Sequence, residues 1–398
     1  GLGDVYKRQA LDYADETAAT ATIPISSVGS TGDTITVTIV EKVPVSITYP
    51  TGQKTVTLCS YTQTSADTTA TLLGASIAAA INANTYLTAT ATLTGYTATA
   101  ATGTVTITAR KGLGKNLNTV SPVATVVGTI SVGTITAFTG GVHSKKAIWY
   151  YNVSEYFRLN PNGKLWVQFT SSVGAAYAEL TTLINASNGE CKRIGVLNFT
   201  SRTAANVTAD GTLIQAVATA SYSAFTPCEF LYAPNIYGVA DITTLQNQQA
   251  QSNKNVSIVI GADGGATGYQ LYLNSAISVQ NLGAVLGRSA AIAVSRNIGE
   301  VGLGSMSDGV ELATPAFANG QLVSALASSA LQTLEDYGYT FFTTMPSFAG
   351  TYINNDYTAI NRTSDYNRLC RNLVINKVVR QSYQGIVPLL KSRILLNS

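Results

Sequence analysis

The chain reads Val256-Ser-Ile-Val-Ile-Gly-Ala-Asp-Gly-Gly-Ala-Thr-Gly268 where a short apolar run passes into a glycine-rich loop. Two earlier apolar runs, Arg193 to Phe199 and Glu229 to Ala233, have the length of buried strands. Alanine-rich segments with helical character, Ala175 to Ser187 and Asn206 to Tyr222, alternate with these runs. This alternation predicts βαβ units, in which helices cover a sheet.

The composition changes sharply near residue 142. Between Ala19 and Val142 the chain is rich in Thr, Ala, Val and Gly and carries few charges, and Asp33 to Ile39 alternates strictly between polar and apolar residues. Leu72, Leu73 and Ile77 recur at helical spacing. The predicted elements are one helix, capped by Ser65 or Asp67, and strands at Asp33 to Ile39, Val43 to Tyr49, Lys54 to Tyr61, Leu87 to Thr94 and Thr97 to Ala109.

Beyond residue 142 we predict strands at Trp149 to Val153 and Leu165 to Phe169 as well. A last amphipathic helix is expected to begin at Ser364 or Asp365 and to place Tyr366, Leu369, Leu373 and Val378 on one face. The predicted fold class is therefore α+β or α/β, with an α/β core at 143–398 and an inserted small β-rich domain, carrying one helix, at 19–142.

Both ends of the chain are unusual. Within residues 1–9, Asp-Val-Tyr-Lys-Arg-Gln resembles a translated transposon end from a sequencing library, so we interpret this stretch as a sequencing-adapter scar. Residues 10–18 are then a remnant of the N-terminal part of the core. Leu389 to Ser398 begins like an apolar strand, and we expect the C-terminal arm to be truncated.

The bulk composition favours a subunit of an assembly. Of 398 residues, 45% are hydrophobic and only 11% are charged, which leaves little charged surface for an isolated monomer. A net charge of +3 does not by itself indicate nucleic acid or an anionic membrane. No apolar run approaches the roughly 20 residues that a membrane span needs. We predict neither partner.

The sequence offers little catalytic chemistry. His143 is the one histidine and lies beside Gly140 and Gly141, where we expect a linker rather than an active site. Four cysteines are far apart and are interpreted as buried thiols, not as a zinc site or as disulfides: Cys59, Cys191, Cys228 and Cys370.

The loop from Gly261 to Gly268 lacks both the Gly-Lys-Ser/Thr and the Gly-x-Gly-x-x-Gly patterns, so a turn that needs positive φ is favoured over a phosphate site. Asp308 and Glu311 could pair for hydrolysis, but a solvated turn is the simpler interpretation. The carboxylates considered are Asp263, Glu300, Asp308, Glu311, Asp336 and Asp356. No catalytic, cofactor or metal site is predicted.

Positive charge is concentrated near the end of the chain. Between Arg362 and Arg393 one acidic residue, Asp365, accompanies seven basic ones: Arg362, Arg368, Arg371, Lys377, Arg380, Lys391 and Arg393. The basic residues are either the solvated side of a helix or a contact with an acidic partner surface.

The stretch from Lys145 to Gln384 resembles the tail sheath proteins of contractile bacteriophages, in particular a prophage family long catalogued as a domain of unknown function. The resemblance is carried by separate blocks in the same order: Val153 to Val167, Phe230 to Pro234, Asn255 to Asp263, Asn281 to Gly287, Asn297 to Val301, Ser307 to Phe317 and Asp336 to Phe341. The segment 19–142 departs from the simplest members and resembles the decorating domains of tail proteins.

The resemblance implies a structural subunit without enzymatic activity or cofactor, from a phage or a phage-derived injection system. Such subunits form stacked six-membered rings around a tail tube, exchange terminal arms by strand addition, and work with baseplate and tail terminator proteins. The expected location is the virion tail, assembled in the host bacterial cytoplasm. The core would face the tube, and the candidate tube contacts are Arg368, Arg371, Lys377 and Arg380.

Two other classes of function remain open. The Thr-rich segment could make the chain a surface adhesin or surface-layer protein with a β-rich carbohydrate-binding domain. An enzyme that uses Gly261 to Gly268 as a phosphate loop is the third interpretation.

Overall fold

The computed structural model describes residues 16–42, 53–84, 95–142, 145–170, 176–275 and 277–389. Helices and strands alternate through these residues and form several sheets, which confirms the mixed α and β fold class. The chain divides into two compact units. The threonine-rich unit holds the described residues of 10–149 and 270–276, and the α/β unit holds those of 150–269 and 277–398.

The threonine-rich unit is built from antiparallel strands and one helix. Its elements are β1 (Thr20–Ser27), β2 (Thr34–Lys42), β3 (Gln53–Thr62), α1 (Ala70–Ala83), β4 (Thr97–Ala101), β5 (Thr104–Thr108), β6 (Val123–Val127), β7 (Ser131–Val132) and β8 (Thr136–Thr139). One sheet has the order β4-β5-β1-β7, with β8 also paired to β1, and the other has the order β3-β2-β6.

The sequence pattern explains the core of this unit. Ile35, Val37 and Ile39 of β2 are fully buried, as their strict alternation predicts. The predicted strand from Thr97 to Ala109 is two strands, because Thr102 and Gly103 both have positive φ and form a tight hairpin turn.

Helix α1 starts later than predicted. Its N-cap is Thr69, whose hydroxyl accepts from Leu72 N at 3.2 Å, and not Ser65 or Asp67. Asp67 is instead bound by Tyr61 and Ser76. The predicted strands at Val43 to Tyr49 and Leu87 to Thr94 lie outside the described residues.

The remaining elements complete the fold. They are α2 (Lys146–Leu159), α3 (Ala178–Ala186), β9 (Arg193–Ser201), α4 (Ala204–Ser223), β10 (Glu229–Asn235), β11 (Ser252–Asn253), β12 (Val256–Val259), β13 (Gly261–Asp263), α5 (Thr267–Ser275), α6 (Leu282–Ala291), β14 (Pro315–Phe317), α7 (Ser328–Asp336), β15 (Tyr339–Thr340), β16 (Phe342–Met345), β17 (Phe348–Ile353), β18 (Ala359–Ile360) and α8 (Leu369–Ile386).

A parallel sheet with the order β15-β12-β10-β9 forms the centre of the α/β unit, which confirms the predicted βαβ units. Strand β10, one of its two inner strands, is buried along its whole length. Phe230 and Tyr232 point into a core shared with α3 and α4, whereas Leu231 and Ala233 point into a core shared with α6 and α8. Helices therefore cover both faces of the sheet.

Two predicted strands are wrong. Trp149 to Val153 lies in α2, where Tyr151, Asn152, Glu155 and Tyr156 are buried at helical spacing. Leu165 to Phe169 belongs to no strand.

The last helix also differs from the prediction. It begins at Leu369 and not at Ser364 or Asp365, because Asn361 holds the preceding segment in turns through Thr363 N and Ser364 N. Tyr366 and Val378 are exposed rather than on the buried face.

Candidate functional site

Helix α8 and its N-cap residue Arg368 carry the four predicted tube contacts, and the inner face of the helix is polar as well as apolar. Leu369, Asn372, Leu373 and Asn376 are buried at helical spacing. Asn372 donates to the carbonyl oxygens of Lys254 and Tyr366, and Asn376 donates to the carboxyl group of Glu229 at 2.7 Å. Side-chain amides therefore fix this helix to the neighbouring segments.

Arg368 anchors the start of α8. Its guanidinium forms an ion pair with the buried Asp356 at 3.0 Å and lies 4.0 Å from the ring centroid of Tyr357. Asp356 also accepts from the backbone N–H of Cys370 at 3.1 Å. This arrangement satisfies an otherwise free backbone donor in the first turn of the helix.

Arg380 anchors the second half of α8. Its guanidinium donates to the carbonyl oxygens of Gly189, Cys191 and Pro227, with distances of 2.8 Å to Cys191 and 2.6 Å to Pro227. These carbonyl groups lie just before β9 and β10. Arg380 therefore binds two loops at one edge of the sheet.

Arg371 and Lys377 are different, because both are exposed. Among the described residues, Arg371 donates within its own segment, to Asn367 Oδ1 at 3.1 Å. The exposed side chains of Val374 and Val378 lie on the same outer face. A basic and partly apolar outer face of α8 is thus available, and the contact of all four basic residues with a tube stays a prediction.

The glycine-rich loop after β12 is a packing feature. Gly261, Gly264 and Gly268 are not in the left-handed region, so the predicted turn with positive φ is wrong. A Cβ atom would lie 2.7 Å from Phe342 at Gly261, 2.7 Å from Leu322 at Gly264, and 2.6 Å from the Tyr151 hydroxyl at Gly268. Glycine is needed because neighbouring side chains occupy the space of a side chain.

A carboxylate cluster borders this loop and consists of Glu155, Asp263 and Glu311. Burial raises the pKa of Glu311 to about 7, although the hydrogen bond from the Thr267 hydroxyl acts to lower it. Burial also raises the pKa of Asp263, although Gly265 N and Ala266 N donate to it at 3.2 and 2.9 Å. These shifts follow from desolvation and from mutual repulsion within the cluster.

The other member of this cluster, Glu155, is held by donors. It is bound by Arg158 at 2.7 Å and by Asn281 Nδ2 at 2.6 Å. Among the described residues, no group of three or more His, Cys, Asp or Glu is arranged to hold a metal ion.

The remaining carboxylates have structural partners. Asp308 lies in an exposed turn, where its Oδ1 accepts from the backbone N–H groups of Val310 and Glu311. Glu311 accepts from the Thr267 hydroxyl instead, so the two carboxyl groups have different partners. Glu300 pairs with Arg296, and Asp336 pairs with Arg362.

The cysteines and the histidine were the other candidate reactive groups. Cys59, Cys191 and Cys228 are buried as predicted, whereas Cys370 is only half-buried. Burial raises the pKa of Cys228 to about 12. His143 lies outside the described residues. No helix in the described part of the chain is long and apolar enough to cross a membrane.

A family model described as the N-terminal domain of DUF2586 matches residues 35–357. The chain belongs to the DUF2586 family. This confirms the predicted membership of a family catalogued as a domain of unknown function. The match begins inside the threonine-rich unit and ends before α8, and the predicted limits of the inserted domain stay predictions.

Comparisons with individual proteins show less about this chain than the family match does. Among solved structures, the DUF2586 chain is similar to a sheath tail protein from Listeria innocua, with 10% identity and a TM-score of 0.37. The similarity covers 94% of this chain but only 63% of the Listeria protein, so the chain spans less than two thirds of that protein's length. No curated protein matches.

One feature of this DUF2586 chain was not predicted. Glu229 is fully buried at the start of β10, where it binds Asn255 and Asn376. The sequence offered two signals. Glu229 comes directly before an apolar run, and Asn372 and Asn376 lie four residues apart on α8. Neither signal indicates by itself that these residues meet.

Proposed function

We propose that this chain is a structural subunit of a contractile tail sheath, from a phage or a phage-derived injection system. The observation that carries the proposal is the set of ordered blocks that resemble sheath proteins, from Val153 to Phe341. All of them fall inside the residues that the DUF2586 model matches. Three blocks, Phe230 to Pro234, Asn255 to Asp263 and Asn281 to Gly287, supply strands β10 and β12 of the sheet and the covering helix α6.

The proposed mechanism is mechanical. Subunits form six-membered rings that stack around a tail tube through head-to-tail contacts, and terminal arms add strands to neighbouring subunits. The extended lattice is metastable, and a baseplate releases it to a contracted state of lower free energy without consuming a nucleotide. The sheath acts in the virion tail and assembles in the bacterial cytoplasm, and a terminator protein ends it.

The tube contact is assigned to the outer face of α8. Arg371 and Lys377 are exposed there, whereas Arg368 and Arg380 are bound within the chain. An acidic tube surface would complement the exposed pair, and electrostatic steering would speed association. Arg371 and Lys377 therefore supply the contact, and Arg368 and Arg380 hold the helix that presents it.

Electron microscopy of negatively stained protein tests the assembly. The protein is prepared with both ends supplied from an intact relative, at high concentration. Hollow tubes or stacked rings support the sheath. A persistent monomer contradicts it and favours the adhesin, which binding to a glycan panel would then test.

Charge reversal tests the tube contact. The variant Arg371→Glu/Lys377→Glu is expected to fold normally and to lose co-sedimentation with the tail tube protein. Lys54→Glu/Lys111→Glu changes two exposed lysines of the threonine-rich unit and is the matched control, because its net charge changes equally. Equal binding by both variants would remove α8 from the interface.

A further inference from the structure

Glu229 connects the central strand to α8 without a cation. The residue is fully buried, and its Oε1 accepts from Asn255 Nδ2 at 2.6 Å and from Asn376 Nδ2 at 2.7 Å. In the part of the chain that the structure describes, no ion pair involves Glu229. A buried carboxylate normally has such a partner, because an unpaired buried charge is costly.

Two buried acceptors beside this link lack a donor. Among the described residues, Glu229 Oε2 and Asn372 Oδ1 have no hydrogen-bond partner. Asn372 lies one turn before Asn376 on the buried face of α8, and its amide binds the carbonyl oxygen of Lys254, next to Asn255, which places its side chain beside the Glu229 carboxyl group. The Asn372 amide cannot be turned round, because its Nδ2 already donates to the carbonyl oxygens of Lys254 and Tyr366. A single proton between the two oxygens would satisfy both.

We propose that Glu229 carries this proton in the folded chain and donates it from Oε2 to Asn372 Oδ1, so that a neutral carboxyl group clamps α8 to the sheet. Ionisation of the carboxyl group removes the donor and places an uncompensated charge under the helix. The clamp is therefore a pH-sensitive latch on α8, and it is independent of any role in a sheath.

The nearby cations favour an ionised carboxyl group, and burial outweighs them. Arg193 on β9, Lys254 before β12 and the Cys228 thiol act on Glu229 electrostatically. Burial raises the pKa of Glu229 from an ordinary 4.5 to about 8, against the amide hydrogen bonds and Lys254. Arg380 reaches the same region from α8, but its donors bind backbone carbonyl groups and the Cys228 sulfur.

The sign of the pH dependence follows from this shift. A carboxyl group whose pKa is raised by folding stabilises the folded form fully below its unfolded pKa, and the stabilisation is lost as the pH rises through the folded pKa. The equilibrium for opening α8 should therefore rise about tenfold per pH unit from about pH 4.5 to about pH 8, and then level off.

Amide hydrogen exchange on the full chain tests the latch, with each rate corrected for the intrinsic pH dependence of exchange. From about pH 6 to about pH 8, protection of α8 amides should fall about 50-fold, whereas protection of α4 on the other face should not follow this slope. An α8 protection that does not change with pH, or an equal slope in α4, overturns the proposal within the wild-type protein alone.

Two variants sharpen the test. Glu229→Gln keeps a permanent donor toward Asn372, so its α8 protection should not vary with pH. Glu311→Gln removes another carboxyl group of raised pKa and should leave the α8 slope unchanged. A wild-type slope in Glu229→Gln would overturn the assignment to Glu229.

Discussion

Glu41 of the threonine-rich unit and Glu229 of the α/β unit are both buried, and their surroundings favour opposite charge states. Arg110 binds Glu41 through two hydrogen bonds, of 2.9 and 3.0 Å, and Tyr96 donates at 2.7 Å. Burial raises the pKa of Glu41, but Arg110 and Tyr96 outweigh burial, and the pKa lies below its usual value.

In the described part of the chain the hydrogen-bond donors to Glu229 are amides, and burial, which raises its pKa, outweighs them. The comparison shows that the charge of a buried carboxyl group depends on whether a cation is among its donors, because burial alone acts in the same direction on both.

The largest expected effect comes from removing the cation beside Glu41. Arg110→Met should lower the free energy of unfolding by about 3 kcal/mol near neutral pH, because it leaves a buried charge without its partner. This value is at the low end for a broken buried ion pair, since Arg110 is itself partly exposed. The loss should shrink below the ordinary carboxyl pKa, where protonated Glu41 needs no cation. Urea unfolding at several pH values measures both.

The matched control for Arg110→Met is Arg296→Met, which removes the same side chain from an exposed pair with Glu300. Its cost should be much smaller, because solvent screens an exposed pair. Equal costs for the two variants would mean that the burial of Glu41 has no energetic consequence.

Removing a donor from Glu229 should have a smaller effect that grows with pH. Asn376→Ala should cost about 1 kcal/mol near pH 6, where the carboxyl group is neutral, and about 2–3 kcal/mol above pH 8, where the lost hydrogen bond is to a charge. Urea unfolding at the two pH values measures the difference.

Asn185→Ala, at an exposed position of α3, serves as the control and should be neutral or slightly stabilising, because alanine favours helix. A pH-independent cost for Asn376→Ala would contradict the charge state inferred for Glu229.

Glu311 is an intermediate case, because it is only partly buried and its pKa is raised to about 7. Its stabilisation is present below the unfolded pKa and is lost as the pH rises through about 7. Glu311→Gln should therefore be more stable than the wild type above that pH, by about 1 kcal/mol after allowance for solvent screening.

Thermal unfolding at acidic and alkaline pH checks this prediction. Glu300→Gln, which changes an exposed carboxylate, should show no comparable gain at alkaline pH. A lower stability of Glu311→Gln above pH 7 would show that the hydrogen bond from Thr267 outweighs desolvation.

The sequence predicted the elements whose pattern is local. The alternating segment from Asp33 to Ile39 forms a strand of the expected kind. The apolar runs that end at Phe199, Ala233 and Gly261 also form strands. Trp149 to Val153 was mistaken for a strand because aromatic and β-branched residues favour strands, while helical packing of Tyr151 and Glu155 decided the outcome.

The polar contacts could not be predicted in the same way. Glu229, Asn255 and Asn376 lie far apart in the sequence and meet only when the sheet and α8 have packed. The basic residues of α8 were visible as a group, but their division into Arg368 and Arg380, which bind the chain, and Arg371 and Lys377, which are exposed, depends on the fold.

The smallest expected effect concerns how one helix in each unit begins. Thr203 and Asn206 form a reciprocal capping box at α4, whereas Thr69 caps α1 through its hydroxyl alone. Thr203→Ala should cost about 1 kcal/mol and Thr69→Ala nearer 0.5 kcal/mol, because the first variant also leaves Asn206 without its partner. Urea unfolding of both variants, with Thr→Ser as the conservative control at each position, measures the difference. A larger cost at Thr69 would mean that the 3.2 Å bond to Leu72 N stabilises its helix more than the reciprocal pair does.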